Sequence, residues 1–365
     1  MISQEIFEQT LMDFFGPARP FLEDPSVSEI MINGPFEVLI ERGGRIERTA
    51  ARFASHHALA AALRNLAQYV GRRADARQPI LEARLPDGSR VEAILPPASP
   101  DGPHVSIRRF FREALTVDRL VELGSLTAEA ATLLRALVAS KHNVVIAGGT
   151  GSGKTSLLNA LSAFIEEDAR VVVIEDAREL QLGLPHVVQL EARPPDDRGR
   201  GEVTIRDLFR ASLRMRPDRI VVGEIRGGEA LDLVQAMISG HGGCLSTVHA
   251  TYPTDTLSRL ETMALMSDVD IPLGPLRAQI ASAMDIIVQT ARMADGTRTV
   301  THITEVVGYE PQSGFALADL FVREILGRDG AGRILSRLVP TGVQPRSAEM
   351  MRAMGHYDSA EATTP

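Results

Sequence analysis

The pattern of hydrophobic and polar positions changes character near residue 112. Before that point, apolar residues at helical spacing alternate with runs of period two, which are typical of antiparallel hairpins. The helical segments are 1–16, which Pro17 and Pro20 would end, and 56–70; the alternating segments are 27–50 and 80–111. We therefore expect residues 1–112 to form an α+β N-terminal domain.

After a connector over 113–125, short apolar runs alternate with helical patterns. This alternation predicts an α/β domain over 126–340, with a parallel sheet covered by helices on its faces. The predicted strands are 144–147, 170–174, 219–223, 243–248 and 285–289, and the predicted helices include 204–215 and 228–239. Residues 298–324 return to period two and predict antiparallel edge strands. The tail over 341–365 predicts a short helix followed by disorder.

Composition narrows the class of protein. The chain has 365 residues, a net charge of −8 and 44% hydrophobic residues, which suits a globular protein that is not a general nucleic-acid binder. One cysteine, Cys244, excludes an internal disulfide. The acidic start does not resemble a secretory leader, and no apolar run is long enough for a transmembrane segment. We expect a cytoplasmic protein.

One loop carries a phosphate-binding motif. Gly148-Gly-Thr-Gly-Ser-Gly-Lys154-Thr155 fits G-x-x-x-x-G-K-[ST] between a strand-like run and a helical pattern. Its glycines let backbone N–H groups converge on phosphate oxygens at a helix N-terminus. We expect Lys154 to contact the β- and γ-phosphates of ATP, and the Thr155 hydroxyl to ligate Mg²⁺. The predicted nucleotide-binding residues are Gly149, Thr150, Gly151, Ser152, Gly153, Lys154, Thr155 and Ser156.

Two acidic residues follow predicted strands, where ligands bind in open α/β folds. Glu175 follows one strand, with Asp176 and Glu179 close behind, and Glu224 follows another. Acids after strands are also common as helix caps, but two beside a phosphate loop predict catalytic roles for both. Glu224 stands where an aspartate is usual, so it would orient the Mg²⁺ shell directly or through water. Which of Glu175 and Glu224 is the base stays open.

The stretch from Leu213 to Ala230, which includes Gly223-Glu-Ile-Arg-Gly-Gly-Glu229, resembles the signature of the type II/type IV secretion-system ATPases. Three more sequence motifs of this chain resemble motifs of that family and occur in the same order along the chain. They are the phosphate loop over 149–155, the aspartate box Glu175-Asp176 with Glu179, and the histidine box Gly240–Gly243 with Ser246–Ala250. The resemblance extends over roughly residues 80–310.

Other residues narrow the resemblance to a subfamily. Gly227 follows Arg226, where type II secretion and type IV pilus motors usually carry aspartate, and a single cysteine excludes their common four-cysteine zinc module. Segments 85–91, 103–110 and 319–322 resemble the tight-adherence (Flp) pilus assembly ATPases. Conjugation and type IV secretion ATPases are near relatives.

The resemblance implies a RecA-like P-loop NTPase domain with a smaller α+β domain before it, and MgATP bound between them. It implies a homohexamer that couples ATP hydrolysis to domain motion. The partners would be inner-membrane platform proteins of a pilus or secretion system, which would hold the cytoplasmic ring at the membrane. It also implies a sensor role for His249; a lone histidine near a sheet edge is otherwise more often a packed or loop residue. Eight positions separate His249 from His241, so the two would not share a helical face.

Arginines are expected to complete the site. Arg90 begins a strand after the Asp87-Gly88 turn, while Arg108 and Arg109 are adjacent on a strand and so point to opposite faces. We expect at least one of these three, with Arg90 the foremost catalytic candidate, to contact nucleotide within a subunit or across the ring; otherwise they are exposed strand residues. A second set either forms a solvated helix face or neutralises phosphate: Arg210, Arg214 and Arg216.

Two other classes stay open. A small-molecule phosphotransferase would share the phosphate loop but need a lid and an acceptor pocket, which nothing in the sequence demands. A nucleic-acid motor would share the same core, although the acidic composition disfavours it.

Overall fold

The structure, a computed structural model, describes residues 12–110, 115–196 and 199–357. The chain divides into two compact units, residues 1–113 and 114–365. Each unit contains helices and strands, so the predicted mixture of α and β structure is confirmed.

The first unit contains a six-stranded antiparallel sheet in the order β3-β2-β1-β6-β5-β4. Its strands are β1 Val27–Asn33, β2 Val38–Arg42, β3 Arg45–Arg48, β4 Ile80–Arg84, β5 Arg90–Ile94 and β6 His104–Arg108; its helices are α1 Arg19–Glu23 and α2 His56–Tyr69. Alternate strand residues such as Ile30 and Ile107 are buried together with Leu63 of α2. The intervening residues of the central strands form the other face of the sheet.

The N-terminal end of this unit differs from the prediction. Residues 1–11 of the expected helix over 1–16 lie outside the described residues. Pro20 does not end a helix, because it lies in the first turn of α1. Proline is tolerated there since the first N–H groups of a helix have no partner within it.

The second unit contains a nine-stranded sheet in the order β15-β14-β13-β12-β7-β11-β10-β8-β9. The six strands from β12 to β9 in that order are parallel, and β13, β14 and β15 continue the sheet in antiparallel fashion. The strands are β7 Val144–Gly148, β8 Val171–Glu175, β9 Val187–Glu191, β10 Arg219–Val222, β11 Leu245–Val248, β12 Ile286–Arg292, β13 Arg298–Glu310, β14 Gly314–Arg328 and β15 Ile334–Pro340.

Helices cover both faces of the parallel strands. They are α3 Val117–Glu122, α4 Ala128–Ala139, α5 Lys154–Ser162, α6 Ile205–Ser212, α7 Glu229–Ile238, α8 Pro253–Leu265, α9 Leu273–Ala283 and α10 Ala348–Ala353. Val144 and Ile146 pack in one hydrophobic cluster with α4 and α5, whereas Val145 and Ala147 pack in a second cluster with α7, α8 and α9. Burial on both faces explains why these strands are continuous apolar runs.

The five predicted parallel strands and the antiparallel strands after residue 298 are confirmed. Thr204 and Asp207 form a capping box at the start of α6, as predicted. The stretch predicted as a connector contains α3, whose Val117 and Leu120 belong to the core of the second unit. In the tail, α10 also contributes to that core through Met351. No helix among the described residues has the length and hydrophobicity to cross a membrane.

Candidate nucleotide-binding site

The phosphate loop joins β7 to α5, where the sequence placed it. Gly151 and Gly153 have φ angles of 68° and 96°, a left-handed conformation that favours glycine. A Cβ on Gly148 would overlap the hydroxyl oxygens of Ser152 and Thr290. These two hydroxyls are 2.8 Å apart and tie the loop to the end of β12. The backbone of the loop therefore favours glycine at 151 and 153, and packing leaves no room for a side chain at 148.

Lys154 is the first residue of α5, and its side chain folds back over the loop. Its Nζ donates to the carbonyl oxygens of Gly148 at 3.0 Å and Gly149 at 3.1 Å. Although only 8% of Lys154 is exposed, its ammonium lies against the glycine turn at the carboxyl edge of the parallel sheet. A helix N-terminus, a glycine turn and a buried ammonium together form a cradle for an anion.

Glu175 is the last residue of β8 and is almost fully buried. Its Oε1 accepts hydrogen bonds from the backbone N–H groups of Glu179 at 2.9 Å and Leu180 at 3.0 Å. A Cβ on Gly223 would lie 2.9 Å from Cγ of Glu175, so glycine lets these two segments meet closely. The carboxylate thus has a fixed orientation beside the residue that precedes Glu224.

Glu224 follows Gly223, two residues after the end of β10, and its carboxylate has two partners. Its Oε1 is 2.9 Å from Nε2 of His249, and its Oε2 accepts a hydrogen bond from Arg226 at 2.7 Å. Arg226 also reaches Oδ2 of Asp176 at 2.6 Å. Both acidic segments predicted to be functional are therefore brought together at the carboxyl ends of β8 and β10.

His249 follows β11 and lies between the acids and the phosphate loop. Both of its ring nitrogens are 3.4 Å from Nζ of Lys154. Partial burial and then the Lys154 charge lower the pKa of the His249 imidazole, while Glu224 opposes them. The ring is therefore neutral near pH 7. His241, by contrast, precedes β11 and so lies at the opposite end of that strand.

The site holds no ready-made metal cage. Within the described ranges, no group of three or more His, Cys, Asp or Glu could hold a metal ion. Mg²⁺ that binds with a nucleotide takes one or two protein ligands and otherwise binds phosphates and water. Thr155, in the first turn of α5, and Glu224 are the residues that would hold it.

The three arginines predicted to lie near the nucleotide have different surroundings in the structure. Arg90 and Arg108 are cross-strand partners, and Arg84 is the partner of Arg90 on the other side. These three form a row on the face of the N-terminal sheet opposite its core, and the sequence had not singled out Arg84. Arg109 lies elsewhere, since its guanidinium donates to backbone oxygens of Phe21 and Asp24. It serves the packing of the first unit.

The second set of arginines lies on or after α6. Arg210 donates to Asp232 of α7 at 2.9 Å, which gives it a carboxylate partner. Arg214 and Arg216 are exposed. These contacts favour a solvated helix face over phosphate neutralisation for Arg210.

Two further arginines lie beside the phosphate loop. A Cβ on Gly151 would lie 3.5 Å from a guanidinium nitrogen of Arg292, and one on Gly153 would lie 3.8 Å from Cδ of Arg298. Both come from the hairpin between β12 and β13, where they are cross-strand partners. No local motif marks them, and they enter the site only because β12 pairs with β7.

Comparison with known proteins places the chain in a family. Residues 13–313 match the family described as Type II/IV secretion system protein. The chain belongs to this family, and the resemblance found in the sequence is confirmed. The tight-adherence subfamily stays a prediction.

Relatives and solved structures agree with that assignment. The chain is 36% identical over 315 residues to the Type IV secretion system protein PtlH of Bordetella pertussis, covering 78% of this chain and 92% of the relative. It is 35% identical over 292 residues to the conjugal transfer protein TrbB of Rhizobium radiobacter, covering 79% and 86%.

The fold is similar to that of the ATPase DotB of Legionella pneumophila, with a TM-score of 0.57, 19% identity and 82% of each chain covered. It is also similar to the pilus retraction motor PilT, whose structure contains ADP, with a TM-score of 0.53, 16% identity and 94% and 86% covered.

Proposed function

We propose that this chain is an ATP-hydrolysing motor of a secretion or pilus assembly system. The observation that carries the proposal is the glycine cradle of residues 148–153, with the ammonium of Lys154 facing the His249–Glu224 pair. Phosphate oxygens would take the place of the Gly148 and Gly149 carbonyls as partners of Lys154. Phosphate-loop N–H groups from Gly149 to Ser156 would bind the remaining oxygens.

The second unit would be the RecA-like P-loop NTPase domain, and the first unit the smaller α+β domain. The parallel order β12-β7-β11-β10-β8-β9 supports this, because the phosphate-loop strand β7 has parallel neighbours on both sides and the two acid-bearing strands, β10 and β8, lie to the same side of it. The domain limits we propose are 1–112 and 126–340, with 113–125 as linker and 341–365 as tail.

The two glutamates would divide the chemistry. Glu175 has one oxygen fixed by two backbone N–H groups, so its carboxylate is held as a general base should be. Glu224 has both oxygens beside donors, which suits a residue that orients the Mg²⁺ shell and the attacking water rather than one that takes the proton. Water would form a bond to the γ-phosphorus as the bond to the β-phosphate oxygen breaks, releasing ADP. Mg²⁺ would neutralise the charge that develops on the phosphates.

The ring and its partners are part of the same proposal, and membership of the family supports them. We propose a homohexamer in which Arg90, or its neighbours Arg84 and Arg108, contacts nucleotide, because this row gathers three positive charges on one sheet face. The ring would act on inner-membrane platform proteins from the cytoplasmic side. Turnover per subunit should then rise with protein concentration, and mixed rings of Lys154→Ala and Arg90→Ala subunits should recover part of the activity if Arg90 acts in trans.

Two kinds of membrane system are candidates for the one that this motor drives. The sequence favours a tight-adherence pilus motor, through segments such as 103–110. A type IV secretion or conjugation motor is equally supported, since relatives at 35–36% identity carry those descriptions. Identifying the platform proteins that co-purify with the assembled membrane complex separates the two.

Lys154→Ala tests the proposed function directly. We expect steady-state ATP hydrolysis, with water as the acceptor, to be abolished while circular dichroism and the melting temperature stay close to those of the wild type. Lys141→Ala is the matched control, because it removes the same ammonium group from an exposed position in the turn before β7. Equal turnover in the wild type and Lys154→Ala would refute the assignment.

A further inference from the structure

Arg226 joins the two acidic segments of the site. One guanidinium nitrogen is 2.6 Å from Oδ2 of Asp176, which follows β8, and another is 2.7 Å from Oε2 of Glu224, which follows β10. These strands are adjacent and parallel, so the arginine spans their two carboxyl ends. A planar guanidinium can hold two carboxylates at once in a fixed geometry, which a lysine ammonium does less well.

The backbone of Arg226 is itself held in place. Oε1 of Glu229, the first residue of α7, accepts hydrogen bonds from the N–H groups of Arg226 at 2.7 Å and Gly227 at 2.8 Å. Glu229 is buried, and Gly228 packs so closely on Ser267 that an added Cβ would lie 3.1 Å from its Cα. The side chain of Arg226 therefore starts from a fixed point.

These contacts determine the orientation of Glu224. One of its oxygens meets His249 and the other meets Arg226, so rotation of the carboxylate would break an ion pair. Without Arg226, the His249 contact alone would hold the group, and the side chain of Glu224 could turn away from Lys154. The exposed fraction falls from 57% at Arg226 to 18% at Glu224, which places the arginine on the outer side of the carboxylate.

We propose that Arg226 is a positioning residue that holds Glu224 toward the phosphate loop by fastening it to Asp176. It acts through Glu224 and does not bind the nucleotide. This inference rests on the proposed ATPase function.

The test compares Arg226→Gln, Glu224→Gln and the double variant in full-length protein. The measured quantities are kcat, KM for ATP, and the affinity for a fluorescent ATP analogue. We expect Arg226→Gln to lower kcat about 10-fold or more, the scale of one charge-assisted hydrogen bond, with affinity within about twofold of the wild type. In the Glu224→Gln background, the same substitution should change kcat less than about twofold, because the group it positions is already disabled.

Asp176→Asn removes only the outer anchor and should lower kcat less than Arg226→Gln does, again without loss of affinity. It also keeps the inference testable if Arg226→Gln does not fold. Arg119→Gln is the matched control, since Arg119 has 55% exposure and one carboxylate partner at 2.7 Å on α3. It should match the wild type.

Three results would overturn the inference: unchanged kcat in Arg226→Gln, a loss of affinity as large as the loss of kcat, or losses that multiply with those of Glu224→Gln. A wild-type protein that does not hydrolyse ATP would instead refute the proposed function. The two failures are thereby distinguishable.

Discussion

The parallel strands of the second unit carry polar side chains at both ends, but the two ends are built differently. At the amino edge, Arg219 begins β10 and Asn143 precedes β7. At the carboxyl edge, Lys154 ends the phosphate loop, and Glu224 and Arg226 follow β10. Groups at the amino edge hold the sheet together, whereas groups at the carboxyl edge are available to a ligand.

Arg219 and Asn143 at the amino edge are buried and have fixed partners. Arg219 is 1% exposed; it donates to Glu166 at 2.7 Å and to the carbonyl oxygens of Val138 and Gly243. A Cβ on Gly243 would overlap the Arg219 guanidinium. The backbone N–H of Asn143 donates to Asp285, its side-chain nitrogen donates to the Ala283 carbonyl, and its side-chain oxygen accepts from the N–H of Cys244. Burial raises the pKa of the Asp285 carboxyl, although the hydrogen bond from Asn143 lowers it.

Partners at the carboxyl edge are shared and partly exposed. Lys154 donates to the loop carbonyls of Gly148 and Gly149 and lies beside His249. The chain of ion pairs from Asp176 through Arg226 to Glu224 is open to solvent along much of its length. Groups held this way can exchange partners when a charged ligand arrives, whereas those at the amino edge cannot do so without loss of stability.

Arg219→Met should produce the largest effect on stability. It removes the buried member of the ion pair with Glu166 and the guanidinium donor to the carbonyl oxygens of Val138 and Gly243, so we expect a loss of about 3 kcal/mol. The melting temperature of the second unit should fall by about 10 °C. Calorimetry measures the shift, and Arg216→Gln on the surface serves as the control. A shift under about 2 °C would contradict the contrast between the two edges.

Glu175→Gln should affect both chemistry and stability. Loss of the base should lower kcat at least about 10²-fold. Loss of charge at an oxygen that accepts two backbone N–H groups should also destabilise the protein by about 1 kcal/mol. Turnover and urea unfolding measure the two effects. Near-normal kcat would remove Glu175 as the base and leave that role to Glu224.

Glu224→Gln should affect chemistry alone. We expect MgATP binding to persist and hydrolysis to slow at least about 10²-fold, while the free energy of unfolding stays within about 0.5 kcal/mol of the wild type because both partners remain partly solvated. Nucleotide binding, turnover and urea unfolding are measured on one preparation. If this variant fails to bind nucleotide, Glu224 is mainly a metal or structural residue.

The smallest expected effect concerns Cys244, whose thiol should not react with an alkylating reagent in the folded protein. Burial raises the pKa of its thiol to about 12. The thiolate is the reactive form, so iodoacetamide at pH 8 should not label the native protein. Labelling in guanidinium chloride provides the positive control. Rapid labelling of the folded chain would show that the amino edge opens far more readily than its contacts indicate.

Much of the site could be predicted from the sequence, because its signals are local. A glycine loop between a strand and a helix specifies its own backbone, and an acid directly after a buried strand must lie at the sheet edge. Pro20 misled the prediction, since proline both ends helices and occupies their first turn. Arg109 could not be told from Arg108 by pattern alone, and only packing against Phe21 and Asp24 separated them.

By itself, the sequence determined the family, the phosphate loop and the positions of Glu175, Glu224 and His249, because each depends on a few neighbouring residues. Only the tertiary structure decided which charges meet. Arg226 reaches Asp176 across 50 positions, and Lys154 reaches His249 across 95. Such partners depend on strand order and register, which set distances of a few ångströms between side chains that no local pattern relates.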